Sequence, residues 1–416
     1  MRISTTQIFQ SGINQIQAGQ GELNRTSLQL GSGKRILSPS DDPSGATQIN
    51  QFERIIKATK QFQRNMENTQ PRMQQQESLL AQGTDALQRA RELVVTGNND
   101  SQTRETRGYL ADELRQIRDG MLDIANTKDP NGEYIFAGTK SQNQPFRQDG
   151  DGEIRYEGAS GAGSVREVAV SADRKIAVGH DGAAVFMDIP ENDGRVGAEV
   201  LQNNGSLVLE KTGVTRVSDL DDREYSITFD ENDDGELVYT VTYIDEDGEV
   251  VGLEEDGDGE PIQYPYVPGE SIEFAGRSVT ISGMPEPGDG VVSRPAENFS
   301  VFQTLDRIID ALERSGDSAS ARADLASASN AALADLDAVL GNFGDKRADL
   351  GGKLKAFDQQ KDLNEDRLLD LESAVSQIRD LDYAEAISRF NQQQVALQAA
   401  QQTYTQVNRL SLFDFI

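Results

Sequence analysis

The chain contains no cysteine, no tryptophan and a single histidine, His180. Without cysteine it can form neither a disulfide nor a thiolate nucleophile, and it cannot hold a metal through sulfur. One histidine excludes a His-rich metal site within one chain, and flanked by Gly179 and Asp181 it reads as a turn residue rather than a catalyst. Positive charge is also scarce. Forty Lys and Arg stand against seventy Asp and Glu, a formal net charge of −30, which argues against nucleic acid or an anionic membrane as partner. No apolar run approaches the roughly 20 residues of a membrane span. The opening MRISTTQIFQSG lacks the apolar core and cleavage site of a secretory signal. The chain therefore reads as cytoplasmic, or as exported by a route that leaves its end uncut. Gly33-Lys34 invites a phosphate-loop reading, but Leu28 stands where that motif needs its first glycine and Arg35 where it needs Ser or Thr. Nothing in the sequence places paired carboxylates in a pocket, so no enzyme, cofactor or metal is expected.

What the chain does have is helical periodicity. Over residues 333–378 a stripe at alternating steps of three and four carries Leu333, Leu336, Leu340, Phe343, Leu350, Leu354, Phe357, Leu368, Leu371, Val375 and Ile378. Such steps average the helical repeat, so these side chains share one face. No proline interrupts the run, and the helix would be a rod roughly 70 Å long. Gly341, Gly344, Gly351 and Gly352 weaken it by about 1 kcal/mol each relative to Ala, and are expected to let another helix approach closely. A second long stripe runs from Ile49 to Val94, with Pro71 inside it and a kink expected there. Asp42 and Pro43 suit its start. After the turn Gly97-Asn98-Asn99-Asp100, Ser101 is the expected cap of a third helix, and residues 133–138 read as a strand.

Both ends carry weaker, glutamine-rich stripes. The first is Phe9, Ile13, Ile16, Gln20, Leu23, Ser27 and Leu30; the last is Tyr383, Ala386, Phe390, Gln393, Leu397, Ala400, Tyr404, Val407 and Ser411. Helices so poor in apolar surface are marginal alone and need packing partners. The ends are therefore expected to pair with each other and to order in an assembly. Phe9, Ile13, Ile16, Leu23, Leu30, Phe390, Leu397, Tyr404 and Val407 are the candidate assembly interface.

From about residue 140 to 296 glycine and aspartate rise and short alternating runs replace the helical period, as in a β domain. Residues 221–260 hold 17 acidic side chains and one basic, a net of −16. Asp230-x-Asn232-x-Asp234-Gly235 begins like a calcium loop, but Val241 takes the twelfth position, where a bidentate glutamate belongs. A solvated hairpin turn is the plainer reading. The expected fold is α+β: a long antiparallel helical hairpin or bundle rod, closed by a coiled-coil terminal domain from both chain ends, with an inserted, mainly β domain.

Ser32-Gly33-Lys34-Arg35-Ile36 followed by Asp41-Asp42-Pro43-Ser44-Gly45 resembles the N-terminal signature of bacterial flagellins. Residues 126–146, with Gly132-Glu133-Tyr134-Ile135-Phe136-Ala137-Gly138-Thr139 and Pro145-Phe146, resemble instead the hook-associated protein 3 family of hook–filament junction proteins. Asp382-Tyr383-Ala384-Glu385-Ala386-Ile387 and the ending Leu410-Ser411-Leu412-Phe413-Asp414 agree with that family. The resemblance covers about residues 1–146 and 297–416. It implies an inner coiled-coil domain from 1–42 plus 382–416, a helical rod from 43–140 plus 297–381, and an outward-facing insert, 141–296. It implies self-association in a ring, with hook-associated protein 1 on one side and flagellin or the filament cap on the other. It further implies flagellar type III export, with a cytoplasmic chaperone guarding the C-terminal helix. The alternatives are a flagellin that forms the filament itself, and a secreted binding protein whose acidic β domain holds calcium or a host surface.

Overall fold

The computed structural model describes residues 5–413 other than 151, 246–247 and 256–258; the side chains of 5, 6, 8 and 407–413 lie outside that description. Six helices frame the chain: α1 (Thr5–Ser32), α2 (Pro43–Gly97), α3 (Arg104–Ala125), α4 (Val301–Arg314), α5 (Ala319–Arg379) and α6 (Tyr383–Phe413). Packing divides it into two compact units. The first gathers Met1–Met66, Ala169–Arg174 and Asp358–Ile416; the second gathers Glu67–Val168 and Lys175–Phe357.

The predicted stripe of α5 is the buried one. Leu336, Phe343, Leu350, Phe357, Asn364 and Val375 are all buried, while Asp345, Asp362 and Asp366 are exposed. The glycines of α5 do not serve close approach, contrary to expectation. A Cβ added to Gly341, Gly344, Gly351 or Gly352 would meet nothing within 4 Å, whereas one on Gly83 of α2 would meet Phe343 at 2.8 Å. Helix α2 runs through Pro71 without a break. Helix α3 is capped by Thr103, whose hydroxyl accepts from Thr106 N at 3.2 Å, and not by Ser101. Residues 133–138 form turns around a lone bridge between Lys128 and Tyr134 rather than a strand.

In the second unit, Phe146 and Phe186 meet Phe302 of α4, and Phe186 meets Phe343 of α5 edge-on at 5.5 Å. Edge-to-face packing suits the aromatic quadrupoles. Beyond several short two-stranded pairs, the insert's two larger sheets are built from β1 (Val196–Gln202), β2 (Val208–Val214), β3 (Tyr225–Glu231), β4 (Leu237–Ile244), β5 (Val250–Gly252), β6 (Tyr264–Pro265), β7 (Ser271–Phe274), β8 (Arg277–Ser282) and β9 (Gly290–Pro295). One antiparallel sheet runs β5-β4-β3-β9-β1 with β6 beside β4; a second runs β7-β8-β2. Period-two burial of Tyr225, Ile227 and Phe229 in β3, and of Val279 and Ile281 in β8, fills one core with Ile272, Phe274 and Val291. The free edge of β2 is closed by α5: Ser327 Oγ accepts from Leu209 N at 3.0 Å and Asn330 Nδ2 donates to Leu209 O at 3.2 Å. At Leu209 these side chains take the place of a neighbouring strand.

One side-chain-to-backbone hydrogen bond recurs. In Asp129–Glu133, Asp149–Glu153, Asn232–Glu236 and Asp245–Glu249 the first residue's Oδ1 accepts from the last residue's backbone N at 2.8–3.1 Å. The fourth residue is glycine with φ between 77° and 90°, a region only glycine enters freely. The Asp230-to-Gly235 stretch is thus a hairpin turn between β3 and β4.

Asp335 of α5 is 5% exposed. Its carboxylate accepts from Thr304 Oγ1 at 3.0 Å and lies 3.5 Å from the Arg307 guanidinium. Burial raises its pKa to about 6 despite that arginine. Between the usual carboxylate range and that value the folded chain holds a proton that the unfolded chain releases, so this group's contribution to stability rises as pH falls through about 6 and levels off near 4. Asp335→Asn is expected to raise stability at pH 7 by roughly 2–3 kcal/mol and to flatten the slope between those limits. Urea titrations of both proteins at pH 4.5 and 7 check this; equal slopes would refute it.

Candidate assembly surface

The terminal helices pack antiparallel, α1 on α6. The Phe9 ring meets Tyr404 edge-on at 6.0 Å, and Thr26 Oγ1 donates to Gln393 Oε1 at 2.8 Å. Ile16, Leu23 and Leu30 on α1, and Phe390, Leu397 and Tyr404 on α6, are half-buried along this seam. Ile13 is 38% exposed and turned away from it. The side chain of Val407 lies outside the described residues.

The α6 stripe has the predicted phase. The α1 stripe does not: where Ile13, Gln20 and Ser27 were expected, the seam holds Gly12, Gly19 and Thr26. A Cβ on Gly12 would meet Tyr404 at 3.0 Å, one on Gly19 would meet Leu397 at 3.5 Å, and one on Gly33 would meet the Tyr383 hydroxyl at 2.9 Å. Small residues seven apart on α1 receive the large ones of α6. An apolar-only count cannot see them, because glycine carries no hydrophobic signal. The repeat of Gly12, Gly19 and Gly33 at multiples of seven was the available clue.

The flagellin-like signature builds the joint below this pair. Gly33 takes φ +69°, and Leu381 N donates to Gly33 O at 3.0 Å. Arg35 N donates to Arg379 O, and the Arg35 guanidinium to Ile378 O at 2.7 and 3.1 Å. Asp41 Oδ2 accepts from Leu37 N and Ser38 N at 2.9 and 2.8 Å, which holds its carboxyl below the usual range. Asp42 Oδ1 accepts from Gly45 N at 2.9 Å, capping α2 as expected. Ile36, Ile49 and Val375 close a small core beneath.

The second signature segment is clamped by an arginine that the sequence reading passed over. Arg72 Nη1 lies 3.0 Å from Asp129 and 3.1 Å from Glu133, and its Nη2 donates to the carbonyl oxygens of Tyr134 and Ile135. His180 closes the same unit. Its backbone N and O pair with the Gln76 amide at 3.0 and 2.8 Å. Its Nε2 lies 3.0 Å from Asp349, off the line of a good hydrogen bond. Burial, with Lys353 nearby, pulls the ring's pKa down to about 4. Among the described residues no group of three or more His, Cys, Asp and Glu is arranged to hold a metal ion.

Known proteins share this arrangement. Residues 3–141 match the bacterial flagellin N-terminal helical region and residues 333–416 the C-terminal helical region. These matches place the paired terminal helices in the flagellin class. Flagellar hook associated protein-3 from Legionella pneumophila has a solved structure that is 30% identical, with a TM-score of 0.72 over 79% of this chain and 98% of that one. Xanthomonas campestris FlgL is 29% identical, with a TM-score of 0.68 over 78% and 99%. Flagellar hook-associated protein 3 of Escherichia coli (strain K12) is 34% identical over 192 residues, 46% of this chain and 59% of that protein. The chain belongs to the hook-associated protein 3 family, flagellin-like structural proteins of the bacterial flagellum. It spans about 59% of the length of that curated relative.

Proposed function

We propose that the chain is a structural adapter rather than an enzyme, joining hook-associated protein 1 at the hook to the flagellin filament, with the filament cap as a transient neighbour. The observation that carries this reading is the α1–α6 seam, a terminal helix pair with almost no charge, in which Gly12 and Gly19 receive Tyr404 and Leu397. In this reading residues 1–42 and 382–416 build the inner coiled coil of a shaft, 43–140 and 297–381 the rod, and 141–296 an outward insert. Copies self-associate in a ring. Export is by the flagellar type III route, and a cytoplasmic chaperone covers α6 beforehand, since exposed Ile387 and Val395 on that helix invite aggregation. Deleting the gene in the source bacterium is expected to leave hooks without filaments and to release flagellin into the medium. Attached filaments of normal length in that strain would overturn the adapter role.

A further inference from the structure

Within the first unit two helix faces have no partner among the described residues, and they are opposite in charge. Residues 54–64 of α2 contain four basic side chains and no acidic one, +4 in a chain of −30. At about 100° per residue, Arg54, Lys57 and Arg64 form one exposed strip. It lies opposite the side that buries Thr59 and Met66. Residues 358–372 of α5 contain six acidic and two basic side chains, a net of −4. There Asp362, Asp366 and Asp370 are exposed together with Leu363, 61% exposed, and Leu369, 69% exposed, opposite buried Phe357, Asn364 and Leu368. Lys60 pairs with Glu372 at 2.7 Å, so α2 and α5 already lie flank to flank. Both strips point outward and cannot meet within one molecule. Among the described residues neither Arg54 nor Lys57, and neither Asp362 nor Asp366, forms an ion pair.

We propose, building on the self-association above, that the basic strip of α2 in one copy docks on the acidic, leucine-bearing strip of α5 in the next copy. Such a contact joins two different patches of the same chain. It is heterologous, and it closes a ring or continues a helix instead of ending at a dimer. Opposite charges select this pairing, because like strips repel, and Leu363 and Leu369 lose their exposure to water. A different protein is a poorer occupant, since the chain itself carries a matching strip of equal and opposite charge.

Because the chain has no cysteine, cross-linking gives a clean test. The full-length Lys57→Cys, Asp366→Cys double variant is expressed in the deletion strain, and isolated flagella are oxidised. A ladder of cross-linked multimers is expected from the double variant and from neither single one. In a separate arm, Arg54→Glu with Lys57→Glu is expected to release filaments, and adding Asp362→Arg with Asp366→Arg to restore them. The purified reversal variant should melt like the parent, since the four side chains are exposed. No ladder from cells that swim normally, or attached filaments in the reversal strain, would overturn the contact while leaving the adapter role intact. A ladder in a bacterium whose filaments stay attached without this chain would uphold the contact and sink the adapter role.

Discussion

Arg72→Ala is expected to lower the stability of the second unit by about 3 kcal/mol, the lower end of what removing one partner of a buried ion pair costs. The Arg72 side chain is 16% exposed, and its partners Asp129 and Glu133 are 6% and 24% exposed. Without the guanidinium these two carboxylates lose the cation that bridges them. The carbonyls of Tyr134 and Ile135 lose their donor as well. Arg166, 3.3 Å from Glu133, compensates in part, which is why the upper end of the range is not expected. Lysine at position 72 should recover little, because a point charge on a flexible stem cannot serve two carboxylates and two carbonyls at once. Urea unfolding of the parent, Arg72→Ala and Arg72→Lys decides it. The midpoint should fall with an unchanged slope, and a loss under about 1 kcal/mol, ordinary for an exposed pair, would mean that the clamp is dispensable.

Arg72 also marks where sequence reading stops. The α5 stripe, the α6 stripe, the Asp42 cap and the hairpin at 225–244 were legible because each is local: a period or a turn signal within a few residues. The errors share the opposite cause. Residues 133–138 look like a strand, yet the Asp129 side chain ties Asn131 N and Glu133 N into a turn, and Arg72, 57 residues away in sequence, fixes the carbonyls that follow. Tertiary hydrogen bonds outweighed β propensity there. Gly341, Gly344, Gly351 and Gly352 gave no sign of whether they faced a neighbour or solvent. The phase of α1 was missed because its seam is built from what glycine leaves out. Of the α1–α6 pairing only half was legible: the large residues of the α6 stripe lie toward α1, while the glycine row that receives them carries no hydrophobic signal.

That receiving row gives the larger effect. Leu397→Asp is expected to separate α1 from α6 and to abolish attachment of filaments, while the second unit melts as before. Leu397 sits over Gly19 in the seam. Helix α1 carries only Glu22 and Arg25, and α6 only Glu385, Arg389 and Arg409. No cation near the middle of the seam can therefore compensate a new carboxylate, and one left unpaired among apolar groups is strongly disfavoured. Lost burial adds to this, about 1.5–3 kcal/mol for a leucine fully withdrawn from water and less for the half-buried Leu397. A pair this poor in apolar surface has little stability to spare. Leu397→Met keeps the volume and should keep attachment. Two measurements suffice: filament attachment and swimming in the complemented deletion strain, and limited proteolysis of the purified variant, in which α1 and α6 should be trimmed while the Glu67–Val168 and Lys175–Phe357 unit resists. Normal swimming with Leu397→Asp would show that the seam is not needed for attachment. A collapse of the whole melting transition would show that the seam supports the fold of the entire chain rather than its assembly.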